Sequence, residues 1–109
     1  MKEASCSILI PTFNGADILD ECLPSVVEQV EERGGIDEII VLDNASTDDT
    51  RRLLEDKFPS VSVVALEENK AIFALNDGAR AARRPYLFFL NNDMILKPGC
   101  IASLLSPFE

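Results

Sequence analysis

The sequence predicts an α/β fold, one parallel sheet with helices on both faces. Short apolar runs alternate four times with helical patterns along the 109 residues, which is the order of parallel strands joined by crossover helices. The unbroken run Ile39-Ile40-Val41-Leu42 suits a strand buried on both faces. Two of the runs also stop at acidic or amide clusters, Asp43-Asn44 and Asn91-Asn92-Asp93. In a parallel sheet both clusters fall on the carboxyl-terminal edge, where open α/β sheets bind ligands.

In chain order, Ser7-Ile8-Leu9-Ile10 reads as the first strand, closed by Pro11, which has no N–H to continue a ladder. Thr12 to Gly15 is a loop. Ile18, Leu19, Cys22, Leu23, Val26, Val27 and Val30 then form the double stripe of an amphipathic helix that stops at Gly34-Gly35. Ile39 to Leu42 is the second strand. Ser46 and Asp49 have capping-box spacing ahead of a helix through Leu53, Leu54 and Phe58, which Pro59 ends. Asp48 and Asp49 fall in its first turn, where acids oppose the macrodipole, so Asp48 reads as structural. Val61 to Leu66 is the third strand, Ile72 to Ala82 an alanine-rich helix, and Tyr86 to Leu90 the fourth strand. Pro98 opens a last short helix with Ile101, Leu104 and Leu105. No repeat or linker interrupts this order, so residues 1–109 read as one domain.

Composition narrows the function. A formal charge of −9 argues against nucleic acid, whose phosphates need clustered Lys and Arg. An acidic chain can still hold a diphosphate if a divalent cation sits between its carboxylates and the phosphates. With no histidine in the chain, nucleophilic hydrolysis is disfavoured. Cys6, Cys22 and Cys100 form no CxxC pair, so neither a disulfide framework nor a zinc site is indicated, and a reducing, cytoplasmic setting is expected. Cys6 and Cys22 read as core residues. No run approaches a membrane span of roughly 18 apolar residues.

Asp43, delivered by a buried strand, could accept a base N–H or a ribose hydroxyl, or it could cap its own turn through Asn44. Asp93 offers a hard oxygen ligand, with Asn91 and Asn92 as amide partners, against the alternative of an Asn-rich turn. Lys70 with Arg80, Arg83 and Arg84 forms the basic patch, and Arg80 is the residue expected to reach a diphosphate. Gly15, Gly34 and Gly35 make no GxGxxG pattern, which disfavours dinucleotide binding. A phosphoacceptor receiver domain would need an acidic pair where Pro11-Thr12 stands.

Taken together, Ser7-Ile8-Leu9-Ile10-Pro11-Thr12-Phe13-Asn14-Gly15, Glu38 to Asp48, Asn69 with Asn76-Asp77-Gly78, and Leu90-Asn91-Asn92-Asp93 resemble the amino-terminal half of the inverting family 2 glycosyltransferases. The resemblance implies the GT-A fold, whose nucleotide-binding half is a Rossmann-like parallel sheet with helices on both faces. It implies that Pro11, Thr12, Asn14, Asp43, Asn76, Asn91 and Asn92 bind the nucleotide and that Asp93 ligates Mn²⁺ or Mg²⁺. Asn at position 91 is similar to the rhamnosyl- and galactofuranosyl-transferase-like members, implying a UDP- or dTDP-sugar donor and a glycan, lipid or other hydroxyl acceptor. The family's general base lies beyond the metal motif, so no catalytic residue is expected within residues 1–109, and sugar transfer by the chain alone is not expected. A membrane would be met only through parts outside this sequence. Ala71-Ile72 stands where relatives often have Gly-Phe, which predicts a loop less free to adopt positive φ. The competing expectation is a non-catalytic α/β nucleotide-sensing or protein-interaction module.

Overall fold

The computed structural model describes residues 4–109, in which strands and helices alternate throughout. The order is β1 (Cys6–Thr12), α1 (Ala16–Glu32), β2 (Glu38–Asp43), α2 (Thr50–Lys57), β3 (Ser62–Ala65), α3 (Ala74–Ala81), β4 (Tyr86–Phe89) and α4 (Cys100–Leu105). Single 3₁₀ turns precede α3 (Ala71–Phe73) and follow α4 (Ser106–Phe108). The strands form one parallel sheet in the order β3-β2-β1-β4, as expected. No helix among the described residues is long and apolar enough to cross a membrane.

Connectivity explains why both faces are covered. From β1 to β3 the chain steps one way across the sheet, and from β3 to β4 it steps back past β2 and β1. Right-handed crossovers therefore place α1 and α2 on one face and α3 on the other. Alternate strand residues follow this split. Ile8, Ile10, Ile39 and Val41 pack with Leu19, Leu23 and Val26 of α1, Leu54 of α2, and Ile101 and Leu105 of α4. Leu9, Ile40 and Leu42 face α3 through Ala74. Helix α1 contains Pro24, which costs about 3 kcal/mol inside a helix. Leu19, Leu23 and Val26 are fully buried and gain about 1.5–3 kcal/mol each, so packing outweighs the lost hydrogen bond.

Three local expectations are corrected. β1 does not stop before Pro11 but runs through it to Thr12, in register with Leu42 and Asp43. Leu90 N donates to the Leu9 carbonyl and Asn44 N to the Thr12 carbonyl, so alternate residues of β1 face β4 and β2. Pro11, two residues beyond Leu9, lacks its donor on the β4 side, where pairing ends at Phe89. Helix α2 begins at Thr50, leaving Asp48 and Asp49 outside it, and no side chain caps it; Ser46 Oγ instead accepts from Asn14 N. Pro98 lies outside α4, which starts after Gly99 at φ 78°.

A polar latch closes the amino-terminal edge of the sheet. Asp37 accepts hydrogen bonds from Cys6 N and Arg33 Nε, and Arg33 Nη2 reaches the Ala4 carbonyl. Glu38 accepts from the Ser7 hydroxyl and Arg83 N, while Arg84 Nε donates to the Ile36 carbonyl. Arg84, one of the basic patch, is thus a structural tie at this edge.

Candidate functional site

The strand order reverses between β1 and β4, because β1 connects to β2 on one side while β4 arrives on the other. The loops after β1 and β4 diverge there and leave a crevice at the carboxyl edge. One hydrogen bond spans it, from Asn92 Nδ2 to Thr12 Oγ1 at 3.0 Å. Gly15 is packed against that bond: a Cβ at position 15 would sit 2.5 Å from Thr12 Oγ1 and 2.9 Å from Asn92 Nδ2. Thr12 is buried and β-branched, so it cannot yield by rotation alone. Gly15→Ala is expected to cost about 1–3 kcal/mol by overpacking and to break the Thr12–Asn92 contact. Denaturant melts would measure the first effect, and the Asn92 side-chain amide resonances the second.

On the β2 side the Asp43 side chain is completely buried. Its Oδ1 accepts Ser46 N at 3.0 Å and its Oδ2 accepts Arg51 Nε at 3.0 Å. The turn-capping reading of Asp43 is therefore realised, through Ser46 rather than Asn44. Arg51, in the first turn of α2, was not singled out from sequence. Asn14 adopts φ 48° and turns its carboxamide oxygen onto the N–H groups of Thr47 and Asp48. That residue welds the first loop to the second.

Asn44 extends the same web to the third crossover. Its Oδ1 accepts Lys70 N and its Nδ2 donates to the Ala71 carbonyl, while Asn69 Oδ1 accepts Ala71 N. These three bonds hold Ala71 at φ 51°, against the expectation that alanine would keep this loop from positive φ. A left-handed alanine costs roughly 1 kcal/mol. Ala71→Gly is accordingly expected to stabilise the fold by about 0.5–1 kcal/mol, read as a raised melting temperature with the same amide spectrum elsewhere.

After β4, Asn91 and Asp93 are exposed and Asn92 is half-buried. The segment beyond them is anchored to α1. Leu96 N donates to Ser25 Oγ, and the buried Gln29 grips the Lys97 carbonyl and Ile101 N. Gln29 escaped the sequence reading, although its place seven residues after Cys22 puts it on the buried stripe. Burial pushes the Cys22 thiol up to about 11; the Met94 backbone opposes the rise and the nearby Asp93 charge adds to it. Burial and Asp37 likewise raise Cys6 to about 12, so both thiols are inert core groups. Among the described residues no three acidic, cysteine or histidine side chains gather as a ready-made metal cage. An exposed Asp93 carboxylate, with Asn91 and Asn92 just before it in the chain, suits a hard cation that takes its remaining ligands from a phosphate. Beside it a cleft of about 380 Å³ is lined by Pro11, Ile72, Leu75, Phe89, Asn91 and Met94, a volume in the small-molecule range.

Two sequence candidates fall outside this cluster. Asn76 is exposed in the first turn of α3, two residues from both Ala74 and Gly78, which are the buried residues of that helix. A two-residue step turns it to the opposite side of the helix. Arg80 is corrected: it lies in the last turn of α3 and pairs with Asp77 at 3.7 Å. That turn lies toward the amino-terminal edge of the sheet. Lys70, also paired with Asp77 at 3.2 Å, is the member of the basic patch at the carboxyl edge.

Asp48, outside α2 rather than in its first turn, accepts hydrogen bonds from Ala16 N and from the N–H and hydroxyl of Thr50. Burial raises its pKa, but the Thr50 hydroxyl and the N–H groups of Thr50 and Ala16 hold it below the ordinary 3.8. Glu38 is also raised by burial and held lower by Ser7, Arg83 and Arg84, below the ordinary 4.5. Because both titrate lower folded than unfolded, their contribution is complete above the unfolded values and lost as pH falls through the folded ones. Melting temperature is expected to hold down to about pH 5 and then decline, and the decline should be shallower in Glu38→Gln/Asp48→Asn.

A family model described as glycosyl transferase family 2 matches residues 7–109. Validoxylamine A glucosyltransferase of Streptomyces hygroscopicus subsp. jinggangensis is 34% identical over 105 residues, covering 92% of this chain and 24% of that protein. The putative teichuronic acid biosynthesis glycosyltransferase TuaG of Bacillus subtilis is 34% identical over 91 residues, 80% of this chain and 35% of TuaG. The chain thus spans between 24% and 35% of the length of these two curated relatives. The crystal structure of S. aureus TarS 1-349 superposes with a TM-score of 0.81 at 23% identity, covering 94% of this chain and 31% of that one. The mannosyltransferase PcManGT from Pyrobaculum calidifontis, solved with GDP-Man and Mn²⁺, gives a TM-score of 0.74 at 24% identity, with 94% and 31% covered. At such identities the superpositions show a shared fold, the GT-A type expected from sequence.

Proposed function

The chain belongs to glycosyltransferase family 2, and from that premise we propose that the crevice between the β1 and β4 loops binds the nucleotide diphosphate of a sugar donor. The observation that supports this reading is that Asp43, Thr12 and the Asn92–Asp93 pair stand at or just past the carboxyl ends of three neighbouring strands, β2, β1 and β4, with the Asn92–Thr12 hydrogen bond spanning the crevice. In the proposed complex Asp43 accepts an N–H of the base or a hydroxyl of the ribose, and Pro11 and Thr12 form the floor. Asn92, fixed by Thr12, and Asn91 beside it donate amide hydrogen bonds to the ribose or diphosphate. Asn14 supports the pocket by holding the second loop in place. Asn76, exposed on the far side of α3, is left out of the proposed pocket.

Asp93 is the proposed ligand for Mn²⁺ or Mg²⁺, with Asn91 at its side. Bound there, the cation supplies neutralisation of charge on the diphosphate leaving group. S. aureus TarS 1-349, which shares this fold, has been solved with UDP and with UDP-GlcNAc, which supports a nucleotide-sugar donor. The proposed donor is a UDP- or dTDP-sugar, transferred with inversion to a glycan, lipid or other hydroxyl acceptor, in a cytoplasmic setting. We assign no residue of the chain as the base that activates that acceptor.

The reading is tested by titrating the protein with UDP and dTDP, with and without Mn²⁺, under amide-shift NMR. Manganese-dependent shifts confined to the loops around Thr12, Asp43 and Asn91–Asp93 are expected. Shifts centred elsewhere, or none in folded protein, would overturn the site and favour the non-catalytic module.

A further inference from the structure

Asp43, the acceptor in the proposed base pocket, is closed in this structure: its side chain has no solvent exposure, whereas that of its partner Arg51 is 54% exposed. Its two hydrogen-bonding partners differ in their freedom to move. Ser46 N belongs to the backbone of a tight turn that includes Ala45 at φ 60°, and Asp43's own carbonyl is bonded to Ala45 N and Leu66 N. Arg51 Nε sits on a long side chain reaching back eight residues from α2. Its two terminal nitrogens make no hydrogen bond among the described residues. The guanidinium is therefore the part of the Asp43 environment that can leave without unfolding a turn.

Resting on the nucleotide reading above, we propose that Arg51 is a displaceable cover on Asp43, a positioning residue that the incoming base must exchange for its own N–H. In the empty pocket Arg51 keeps Oδ2 paired and oriented. On binding, the base N–H takes the place of Arg51 Nε on Oδ2, and the guanidinium swings into solvent. The cover thus makes nucleotide affinity depend on the strength of an ion pair whose arginine side is open to solvent. Anything that weakens that pair favours the base, and salt does so because Arg51 is half-exposed.

Uridine separates this effect from diphosphate electrostatics, since the nucleoside is uncharged. Its binding would be followed by amide-shift NMR in wild type, Arg51→Met, Arg51→Lys and Asp43→Asn, each first shown to keep the wild-type amide pattern. Arg51→Met is expected to bind uridine about two- to fivefold tighter, the range of an ion pair with one solvent-open partner. Wild-type affinity for uridine should rise with added NaCl, Arg51→Lys should keep part of that response, and Arg51→Met should lose it. A salt response toward a neutral ligand is a readout that a purely structural arginine would not give. Asp43→Asn should lose uridine, because its amide N–H₂ meets the base N–H donor to donor. Equal or weaker uridine binding by Arg51→Met, with binding still lost in Asp43→Asn, would overturn the cover and leave the base reading intact. Should Arg51→Met fail to fold, a salt-independent uridine affinity in wild type would overturn it equally. Uridine bound by Asp43→Asn as by wild type would overturn the base reading and the cover with it.

Discussion

Asp37→Ala is expected to lower stability by about 3–5 kcal/mol, the cost of removing one partner from a buried ion pair. The Asp37 side chain has no exposure and that of Arg33 only 13%, with Arg33 Nε 2.6 Å from Asp37 Oδ2. Without the carboxylate, Arg33 remains in place as an uncompensated charge and Cys6 N loses its acceptor. Set against a total of about 5–15 kcal/mol for a domain of this size, the loss is a large share. Urea melts should show a lower midpoint at unchanged slope. Arg33→Ala/Asp37→Ala should lose less than the sum of the single variants, because the double variant strands no charge. Asp37→Asn, which keeps an acceptor for Cys6 N, should fall between. A loss under about 1 kcal/mol in Asp37→Ala would place this pair with solvated surface bridges.

The latch also marks where sequence reading reached its limit. Strands and helices were legible because burial writes a period into each segment: Leu19, Leu23 and Val26 recur at helical spacing, and Ile39 to Leu42 is apolar without a break. Those elements came out in the right order and in a parallel sheet. Boundaries at Pro11 and Pro98 did not, because what a proline disrupts depends on which neighbour its missing N–H would have faced. For Pro11 that direction exists only once β1 lies between β2 and β4. Ser46 and Asp49 had the spacing of a capping box, but spacing is blind to competition. Asn14 N claims Ser46 Oγ across 32 positions of sequence.

At the site, position was legible and partnership was not. Asp43 and Asn91 to Asp93 could be placed on the carboxyl edge because a strand end is a local property. Arg51, Asn44 and Gln29 act through contacts that only the packed chain creates: spacing puts Gln29 on the buried stripe and Asn44 at a strand end, but their partners, like Arg51's, lie elsewhere in the fold. Ala71 is the sharpest case. Residue preference argued against positive φ there, and three hydrogen bonds from Asn44 and Asn69 impose it. Arg80 failed for the converse reason: charge suggested a phosphate ligand, while its place in the last turn of α3 carries it toward the other edge.

Asp93→Ala is expected to abolish metal dependence altogether, leaving UDP affinity the same with and without Mn²⁺ and equal to that of metal-free wild type. A site with several carboxylates would retain part of its affinity after losing one. Here no alternative stands ready. Asp43 is buried against Arg51, and Asp48 is committed to Thr50 and Ala16. Among the described residues no three acidic, cysteine or histidine side chains gather to take its place. The effect should therefore exceed the roughly 10–100-fold loss typical of changes one layer removed from a metal. Stability should hardly move, because Asp93 is exposed and forms no ion pair among the described residues. Asp93→Asn separates charge from geometry: an amide oxygen keeps the shape but offers a weaker ligand, so a small residual response to Mn²⁺ is expected. Full manganese dependence in Asp93→Ala would move the cation away from the β4 edge, leaving the base contact at Asp43 to be judged on its own.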